Sequence, residues 1–270
     1  MSAELRAYKA MQRRLWSAGD YAVTARRFEG VAEQLVEACA VGPGQRVLDI
    51  AAGDGNGALA AVAAGASVAA CDLTPSLVAA GRKRTAAAGE EVDWSVEDAE
   101  QLPFADGSFH AAISVFGLVL APRPQLAISE AFRVTRSGGV VGLSSWTPDS
   151  AAARFGAICA RHLPAPAQPL PSPHEWGDEA TARERFGHHC TAVRFELGTV
   201  RWSWPSAAAA REELEESNGF VAAARAELPA ERLIALVDDL VDLMRALNLA
   251  TDGGLTYDAE YARVVGRKSG

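Results

Sequence analysis

The sequence predicts a doubly wound α/β fold around a mostly parallel sheet, on three observations. First, the apolar, β-branched run Val47-Leu48-Asp49-Ile50 ends at a turn with Gly53, Gly55 and Gly57 at alternate positions, and the Ala-rich segment Ala58 to Ala64 follows. That order is strand, tight turn, helix. Second, short apolar runs alternate with helical segments as far as Trp146, and neighbouring parallel strands require such crossovers. Third, beyond Thr191 the alternation gives way to strand material interrupted by a run of helices.

Taken in order, Glu4 to Trp16 places Leu5, Tyr8, Met11 and Leu15 at helical spacing with Arg6, Lys9, Arg13 and Arg14 between them, an amphipathic helix. Trp16 to Tyr21 breaks it, and a second helix over Ala25 to Ala40 ends near Gly42-Pro43-Gly44. After the first strand and its helix, Ser67 to Asp72 is a second strand. Thr74 is placed to cap a helix over Pro75 to Ala88, with proline at its first position. Val92 to Ser95 is a third strand, and Ala105 to Phe109 a turn. His110 to Phe116 is a fourth strand, almost wholly apolar, as a strand covered on both faces should be. Pro124 to Thr135 reads as a helix, Gly138-Gly139 as the break after it, and Val140 to Ser145 as a fifth strand. Asp149 to His162 and Gly177 to Phe186 read as helices, on either side of the proline-rich connector Leu163 to Pro173. Thr191 to Leu197 and Thr199 to Trp204 read as strand, and Ser206 to Ser217, Gly219 to Glu227 and Glu231 to Leu247 as helices. The last of these helices sets Leu233, Leu236, Val237, Leu240, Met244 and Leu247 on one face, away from Asp238, Asp239 and Asp242. Tyr257 to Arg267 is a final strand.

Composition narrows the function classes. The 270 residues suit one large domain, or one domain with an insertion, and 49% of them are hydrophobic. A net charge of −8 opposes a broad nucleic-acid-binding face. Met1 to Arg14 is charged throughout, without an apolar signal core. The apolar stretch Ala58 to Cys71 is too short to span a bilayer. Cys39, Cys71, Cys159 and Cys190 are scattered without a Cys-x-x-Cys pair, so neither a disulfide framework nor a metal site is expected. The expectation is a soluble, cytoplasmic enzyme with no nucleic-acid partner, no membrane contact and no metal.

The glycine turn carries the chemistry. A helix start presents unpaired N–H groups, and glycine lets a ligand lie against the main chain. Gly53-x-Gly55-x-x-Ala58 fits a dinucleotide fingerprint, and Asp72 falls where a ribose-binding acid belongs, roughly 20 residues on. Asp49 opposes a pyrophosphate there and suits a ligand that is cationic near the turn. Asp72 can accept both ribose hydroxyls at once, with a helix cap as its alternative role; Leu73 would then pack on the adenine.

Val47-Leu48-Asp49-Ile50-x-x-Gly53-x-Gly55 resembles motif I of the class I S-adenosylmethionine-dependent methyltransferases. The resemblance extends from about Ala25 to Trp146, towards the ubiquinone/menaquinone-type, small-molecule branch. Motif I departs from that family at Ala51 and Ala52, where glycine and cysteine are frequent, and the Ala51 methyl stands where it could crowd a ligand. The resemblance implies S-adenosyl-L-methionine as cofactor and a seven-stranded, Rossmann-like sheet with an antiparallel last strand. The residues themselves add the N-terminal helices, and a helical insertion that here separates the last two strands. Asp98 and Ala99, before Leu102-Pro103-Phe104, match the pair that holds the adenine, with an acidic surface loop flanked by Glu97 and Glu100 as the plain alternative. Val115, Phe116 and Gly117 fall where the backbone meets the methionine moiety, and an N-terminal aromatic, Tyr21 ahead of Trp16, is expected there too. With Asp49, Ala51, Gly53, Asn56, Asp72 and Leu73, these residues form the expected cofactor site. His110 stands where an acid is usual and is expected to be structural. Glu130-x-x-Arg133 before Gly138-Gly139 resembles the family's helix-to-strand junction.

The segments expected within one globular unit are residues 1–44 as N-terminal helices and lid, 45–148 as the cofactor-binding core, 149–192 as the variable substrate side, and 193–270 as edge strands with the insertion 205–250. The expected reaction is methyl transfer to O, N or C of a small, largely apolar metabolite, driven mainly by proximity. A nicotinamide oxidoreductase and a non-methylating cyclase or decarboxylase on the same fold stay open. A homodimer is allowed. A base is needed only if the acceptor must lose a proton early. Among His162, His174, Glu175, His188 and His189, the best placed are His174 and Glu175, between the prolines and Trp176. Trp146, Trp176, Trp202 and Trp204 would line an aromatic pocket or pack in the core.

Overall fold

The computed structural model describes residues 2–163 and 170–270. The expected connector Leu163 to Pro173 falls mostly on residues 164–169, outside the described residues.

The chain opens with helices α1 (Ala3–Trp16), α2 (Tyr21–Ala25) and α3 (Glu29–Ala38), the last two separated by a 3-10 turn at Arg26–Phe28. The single helix expected over Ala25 to Ala40 is therefore corrected to two pieces. The Asp20 carboxylate accepts from Ala22 N–H at 3.1 Å and starts α2 at Tyr21, ahead of the expected position. Strand β1 (Arg46–Ile50), α4 (Asn56–Ala63), β2 (Ser67–Asp72), α5 (Pro75–Ala87), β3 (Val92–Val96) and β4 (Phe109–Val115) follow, then α6 (Pro124–Val134) and β5 (Thr135–Trp146). After these come α7 (Ala151–His162), α8 (Glu179–Gly187), β6 (Cys190–Trp204), α9 (Ala207–Ser217), α10 (Gly219–Glu227), α11 (Ala230–Ala246) and β7 (Leu255–Lys268).

Gly138-Gly139 does not separate α6 from its strand. Both glycines lie inside β5, where the pairing register with β4 slips between Phe109 and Ala111. The two strand pieces expected around Gly198 are one continuous strand. A side chain at Gly198 would come within 2.6 Å of the Tyr261 ring, so its absence is what lets the strand run straight past.

The seven strands form one sheet in the order β3-β2-β1-β4-β5-β7-β6. Strands β1 to β5 pair in parallel, and β7 runs antiparallel to β5, with Val140 opposite Arg267 and Trp146 opposite Tyr261. The fold is thus the doubly wound α/β architecture expected, with a helical run between the last two strands. The order reverses between β1 and β4, which places a crevice beyond their carboxyl ends.

The chain groups into two compact units: residues 1–27, 149–170 and 199–260, and residues 28–148, 171–198 and 261–270. These cut across the expected segments, since 149–192 divides between them. In the first unit, α11 buries Leu236, Val237, Leu240 and Met244 of the expected face, with Leu233 and Leu247 only half-buried and Val241 and Leu243 buried beside them, while Asp238, Asp239 and Asp242 stay exposed. In the second unit the sheet is covered on both faces. Leu35, Val36, Ala58 and Ala61 from α3 and α4 pack on Val47, Val68, Ala111 and Ile113. Ile128, Phe132, Trp176 and Phe186 pack on Leu48, Ala112, Val141 and Leu143. Alternate residues of each strand serve opposite faces, which is why these strands are apolar along their whole length.

Candidate functional site

Apart from Ala40 after α3, the positive-φ residues other than glycine among the second unit's described residues lie at the carboxyl ends of β1 and β4. Ala51 and Phe116, the residues just beyond these strands, have φ of 54° and 59°. Side chains other than glycine rarely adopt such angles, and holding them there costs on the order of 1–2 kcal/mol. Gly53 and Gly55 take φ of 60° and 100° without that cost, and Gly55 leads directly into α4 at Asn56. Ala51 thus bears a backbone strain in addition to the crowding expected of its methyl group.

Asp49 lies one residue before the end of β1 and is 0% exposed. Neither carboxylate oxygen has a hydrogen-bond partner among the described residues. A side chain at Gly57 would meet the Asp49 carboxylate at 2.6 Å, so that glycine is what lets α4 start over the acid. Burial pushes the Asp49 carboxyl up to about 8; the Ala58 amide pulls the other way, and Asp72 and Asp54 add smaller rises.

Asp72, at the end of β2, is also buried. Its carboxylate accepts from Gly53 N–H at 2.9 Å and from Thr74 N–H at 2.8 Å, fixing both the glycine turn and the start of α5. Burial raises its pKa against the pull of those two N–H groups. Thr74 holds the N-cap position of α5 as expected, but its side chain makes no cap hydrogen bond; its amide and its hydroxyl both serve Asp72. Leu73, half-buried, follows it.

The loop after β3 is tied to β2 by Glu97 N–H donating to Asp72 C=O at 3.0 Å. Asp98 accepts from Glu100 N–H at 3.0 Å and bridges to Gln101; Ala99 packs against the core beside it. Glu100, read from the sequence as an acidic surface flank, is buried. It accepts from Arg123 N–H at 2.6 Å and from that guanidinium at 2.7 Å and 3.0 Å. Glu130 accepts from Leu102 N–H at 2.8 Å, and Arg133 donates to Glu130 and to the carbonyls of Leu102 and Phe104. The guanidinium beside Glu130 holds that carboxyl below its usual range. The Glu130–Arg133 run therefore fixes the loop that carries Asp98.

Across the crevice, Ser114 Oγ donates to Ile50 C=O at 2.6 Å and accepts from Leu118 N–H at 2.8 Å. Ser144 Oγ accepts from Phe116 N–H at 3.1 Å. These serines hold the strained ends of β1 and β4 together, and nothing in their sequence context marked them. The Phe116 ring stacks on Trp146 at 4.1 Å and 10°, with Phe28 and Tyr261 edge-on at 5.1 Å and 5.7 Å. Val115, like Phe116, is half-buried.

A 3-10 turn at Pro173–Gly177 docks on the end of β5. Ser145 Oγ donates to Pro173 C=O at 3.2 Å, and Gly177 lies so close to Trp146 C=O that a side chain there would meet it at 2.2 Å. This turn carries His174, whose pKa burial lowers, and Glu175, which is paired with Arg185 at 2.5 Å. Trp176 beside them is 1% exposed and belongs to the core. Elsewhere, His110 is structural as expected, its Nδ1 accepting from Arg46 N–H at 3.0 Å. His189 stacks on Phe132 at 5.1 Å. In the first unit His162 pairs with Asp239 at 2.8 Å, and Tyr21 packs edge-on against Trp16 at 5.7 Å.

Residues 47–139, which hold the turn and both acids, match the model of a methyltransferase domain. An uncharacterised protein of Mycobacterium bovis is 37% identical over 203 residues, spanning 74% of this chain and 73% of that one. A demethylmenaquinone methyltransferase of Paenarthrobacter aurescens is 40% identical over 105 residues, 39% of this chain and 40% of that one. The crystal structure of a candidate methyltransferase of Bacillus halodurans C-125 superposes with a TM-score of 0.62 at 20% identity, covering 88% of this chain and 99% of that one. The sheet order, the glycine turn with its buried acids and these likenesses agree: the chain belongs to the class I S-adenosylmethionine-dependent methyltransferases.

Proposed function

We propose that the protein binds S-adenosyl-L-methionine at the carboxyl ends of β1, β2 and β4 and transfers its methyl group to a small, largely apolar metabolite. The observation that carries this reading is Asp49, a buried acid with no hydrogen-bond partner among the described residues, in a neighbourhood where Asp49, Asp54 and Asp72 are all pushed up in pKa. A site that resists the ionised form of its acids is relieved by a cation and made worse by a diphosphate, which disfavours a nicotinamide dinucleotide.

The residues present fit the cofactor. Asp49 would ionise against the cationic end of the cofactor beneath the turn, and Ala51, Gly53 and Asn56 offer a lip without bulky side chains. Asp72, its inner lone pairs held by two backbone N–H groups, receives the ribose hydroxyls. Leu73 and Ala99 flank the adenine, whose exocyclic amine Asp98 accepts. Val115 and Phe116 present main chain to the methionine end. Tyr21 lies in the first unit, and the residues proposed for the cofactor are those of the second.

When bound, the cofactor supplies a methyl group on a sulfonium, which leaves as a neutral thioether and needs no proton. The task of the protein is then to hold acceptor and methyl in line and to exclude water, a contribution that alone reaches several kcal/mol. The demethylmenaquinone methyltransferase likeness supports an acceptor of the apolar, ring-bearing kind. Calorimetric titration tests the cofactor: S-adenosylhomocysteine binds, and NAD does not. Tight NAD binding without S-adenosylhomocysteine binding overturns the reading.

A further inference from the structure

The sheet ends in two edge strands that are built differently. At one end β3 is five residues long, and Glu90, Glu91, Asp93, Glu97 and Asp98 lie in or beside it. A second copy laid along it would set acid against acid. At the other end β6 runs for 15 residues without proline or lysine. Short strands, proline and lysine are devices that keep sheet edges from pairing, and like charges act the same way. β6 uses none of them. Its stretch within the second unit, Cys190 to Gly198, exposes Thr191, Ala192, Arg194 and Leu197.

Alternation gives this stretch two stripes. Val193 and Phe195 pack on the cluster that holds Phe132 and Phe186, and Leu197, 55% exposed, continues their face. On the opposite face Arg194 donates to Ala38 C=O and lies 3.5 Å from Glu196. Val193 C=O accepts from the Arg183 side chain of α8 at 2.7 Å, which sets that carbonyl on the outer edge. Every second residue of a strand turns its N–H and C=O to the same side, so Phe195 and Leu197 offer theirs outward as well. The Val193 oxygen keeps a second lone pair for a partner strand.

We propose that β6 is a homodimer interface, in which a second copy of this chain lies antiparallel along residues 192–198 about a two-fold axis at Phe195. The sequence is self-complementary in that register. Phe195 faces Phe195, Val193 faces Leu197, and Arg194 faces Glu196, the last two pairs each occurring twice. The two Phe195 residues exchange N–H and C=O groups, as do Val193 of one copy and Leu197 of the other. The apolar stripes meet on one face of the joined sheet and cover Leu197, while opposite charges meet on the other. A two-fold axis one residue away would set Arg194 against Arg194, or Glu196 against Glu196. The contact is isologous, so it closes at two copies and removes both exposed edges at once.

Sedimentation velocity on the full chain reads this directly. The wild type should move from the 28.4 kDa monomer to twice that mass as its concentration rises through the micromolar range. Arg194→Glu and Glu196→Arg each set two like-charged pairs across the interface, and each should weaken self-association by about tenfold or more. Mixed together, the two variants should associate again, because every charged pair across the heterodimer is then opposite in sign. The double variant Arg194→Glu/Glu196→Arg should recover the homodimer. Leu197→Asp, at an exposed position, should weaken the dimer with Arg194 and Glu196 in place. S-adenosylhomocysteine binding, placed on β1, β2 and β4, should persist in every variant. A wild type that stays monomeric, or single reversals that dimerise as the wild type does, overturns the interface. So does a mixture of the two reversals that stays monomeric, or an undisturbed dimer in Leu197→Asp.

Discussion

Two aromatic clusters in this protein are made of similar rings and held in opposite ways. In the second unit, Phe28, Phe116, Trp146 and Tyr261 gather at the end of the sheet around a residue with φ of 59°, and Asp49 on β1, the neighbour of β4, is a buried acid with no hydrogen-bond partner among the described residues. In the first unit, Trp202 stacks with Tyr257 at 6.1 Å and 13°, and Trp204 lies at 5.8 Å from the same ring. There the Arg27 guanidinium sits 4.9 Å and 5.2 Å from the two indoles and is itself paired with Glu213 at 2.9 Å. The first-unit cluster supplies its own cation and counter-ion, with the Trp204 Nε1 unpartnered among the described residues. The second-unit cluster keeps strain and unmatched charge beside it. Strain and unmatched charge that a fold tolerates mark where it meets something else; a cluster that closes on itself marks packing.

The comparison breaks first on stability. Trp204→Ala should cost about 3 kcal/mol or more, the usual penalty for emptying a buried tryptophan site, with S-adenosylhomocysteine affinity of the folded protein unchanged. Phe116→Ala, at a half-buried position, should cost less stability but lower methyl transfer. Thermal melts set beside calorimetric titration separate the two. A tryptophan variant that melts normally but cannot bind would show the first-unit cluster to be part of the site.

The acids come next. Asp72→Ala should weaken S-adenosylhomocysteine binding by about 1.5–3 kcal/mol, the range for hydrogen bonds to a charged group. It should also lower stability, because Gly53 and Thr74 lose their acceptor. Asp98→Ala should fall at the lower end for affinity. Calorimetry on both variants checks this, and wild-type affinity in both would remove the two acids from the site.

Much of this region was legible in the sequence, because its signals are local. A β-branched run, an acid and alternating glycines fix strand, turn and helix within a dozen residues, and Asp72 and Asp98 follow at strand ends. What was not legible depends on contacts between segments far apart in sequence. Glu100 reads as surface because acids surround it, yet it clamps Arg123. Ser114 and Ser144 are ordinary strand residues until β1, β4 and β5 lie side by side. Glu175 reads as a free carboxylate until α8 brings Arg185 against it. Thr74 has the right residue type for a cap and takes the N-cap position, yet its side chain turns to Asp72 two positions back instead of to the helix.

Asp49 sharpens the contrast through pH. Its carboxyl is raised from 3.8 to about 8 by burial, so the folded protein holds a proton that the unfolded chain has released. Stability contributed by this group therefore falls as pH rises between those two values. Asp49→Asn removes that dependence. The variant should be more stable than the wild type at about pH 8 by at least about 1.4 kcal/mol, the equivalent of one pKa unit, with the gap closing towards about pH 5. It should also bind S-adenosylmethionine more weakly. Melting curves across pH decide it: a variant no more stable than wild type at high pH would mean that the acid is matched in the free protein.

The smallest effect concerns Ala51. Its φ of 54° strains an L-residue by about 1 kcal/mol. Glycine relieves that strain but makes the unfolded chain more flexible, at a cost of about 0.4–1 kcal/mol. Ala51→Gly should therefore move the melting temperature little. Its effect should appear in cofactor affinity, since removing the methyl group opens the lip of the turn while the hydrogen bond from Ala52 N–H to Cys71 C=O, at 2.9 Å, stays in place. Tighter S-adenosylhomocysteine binding with an unchanged melt would show that the alanine crowds the ligand. A higher melting temperature with unchanged binding would show that the strain at the end of β1 is local to the backbone and separable from the site.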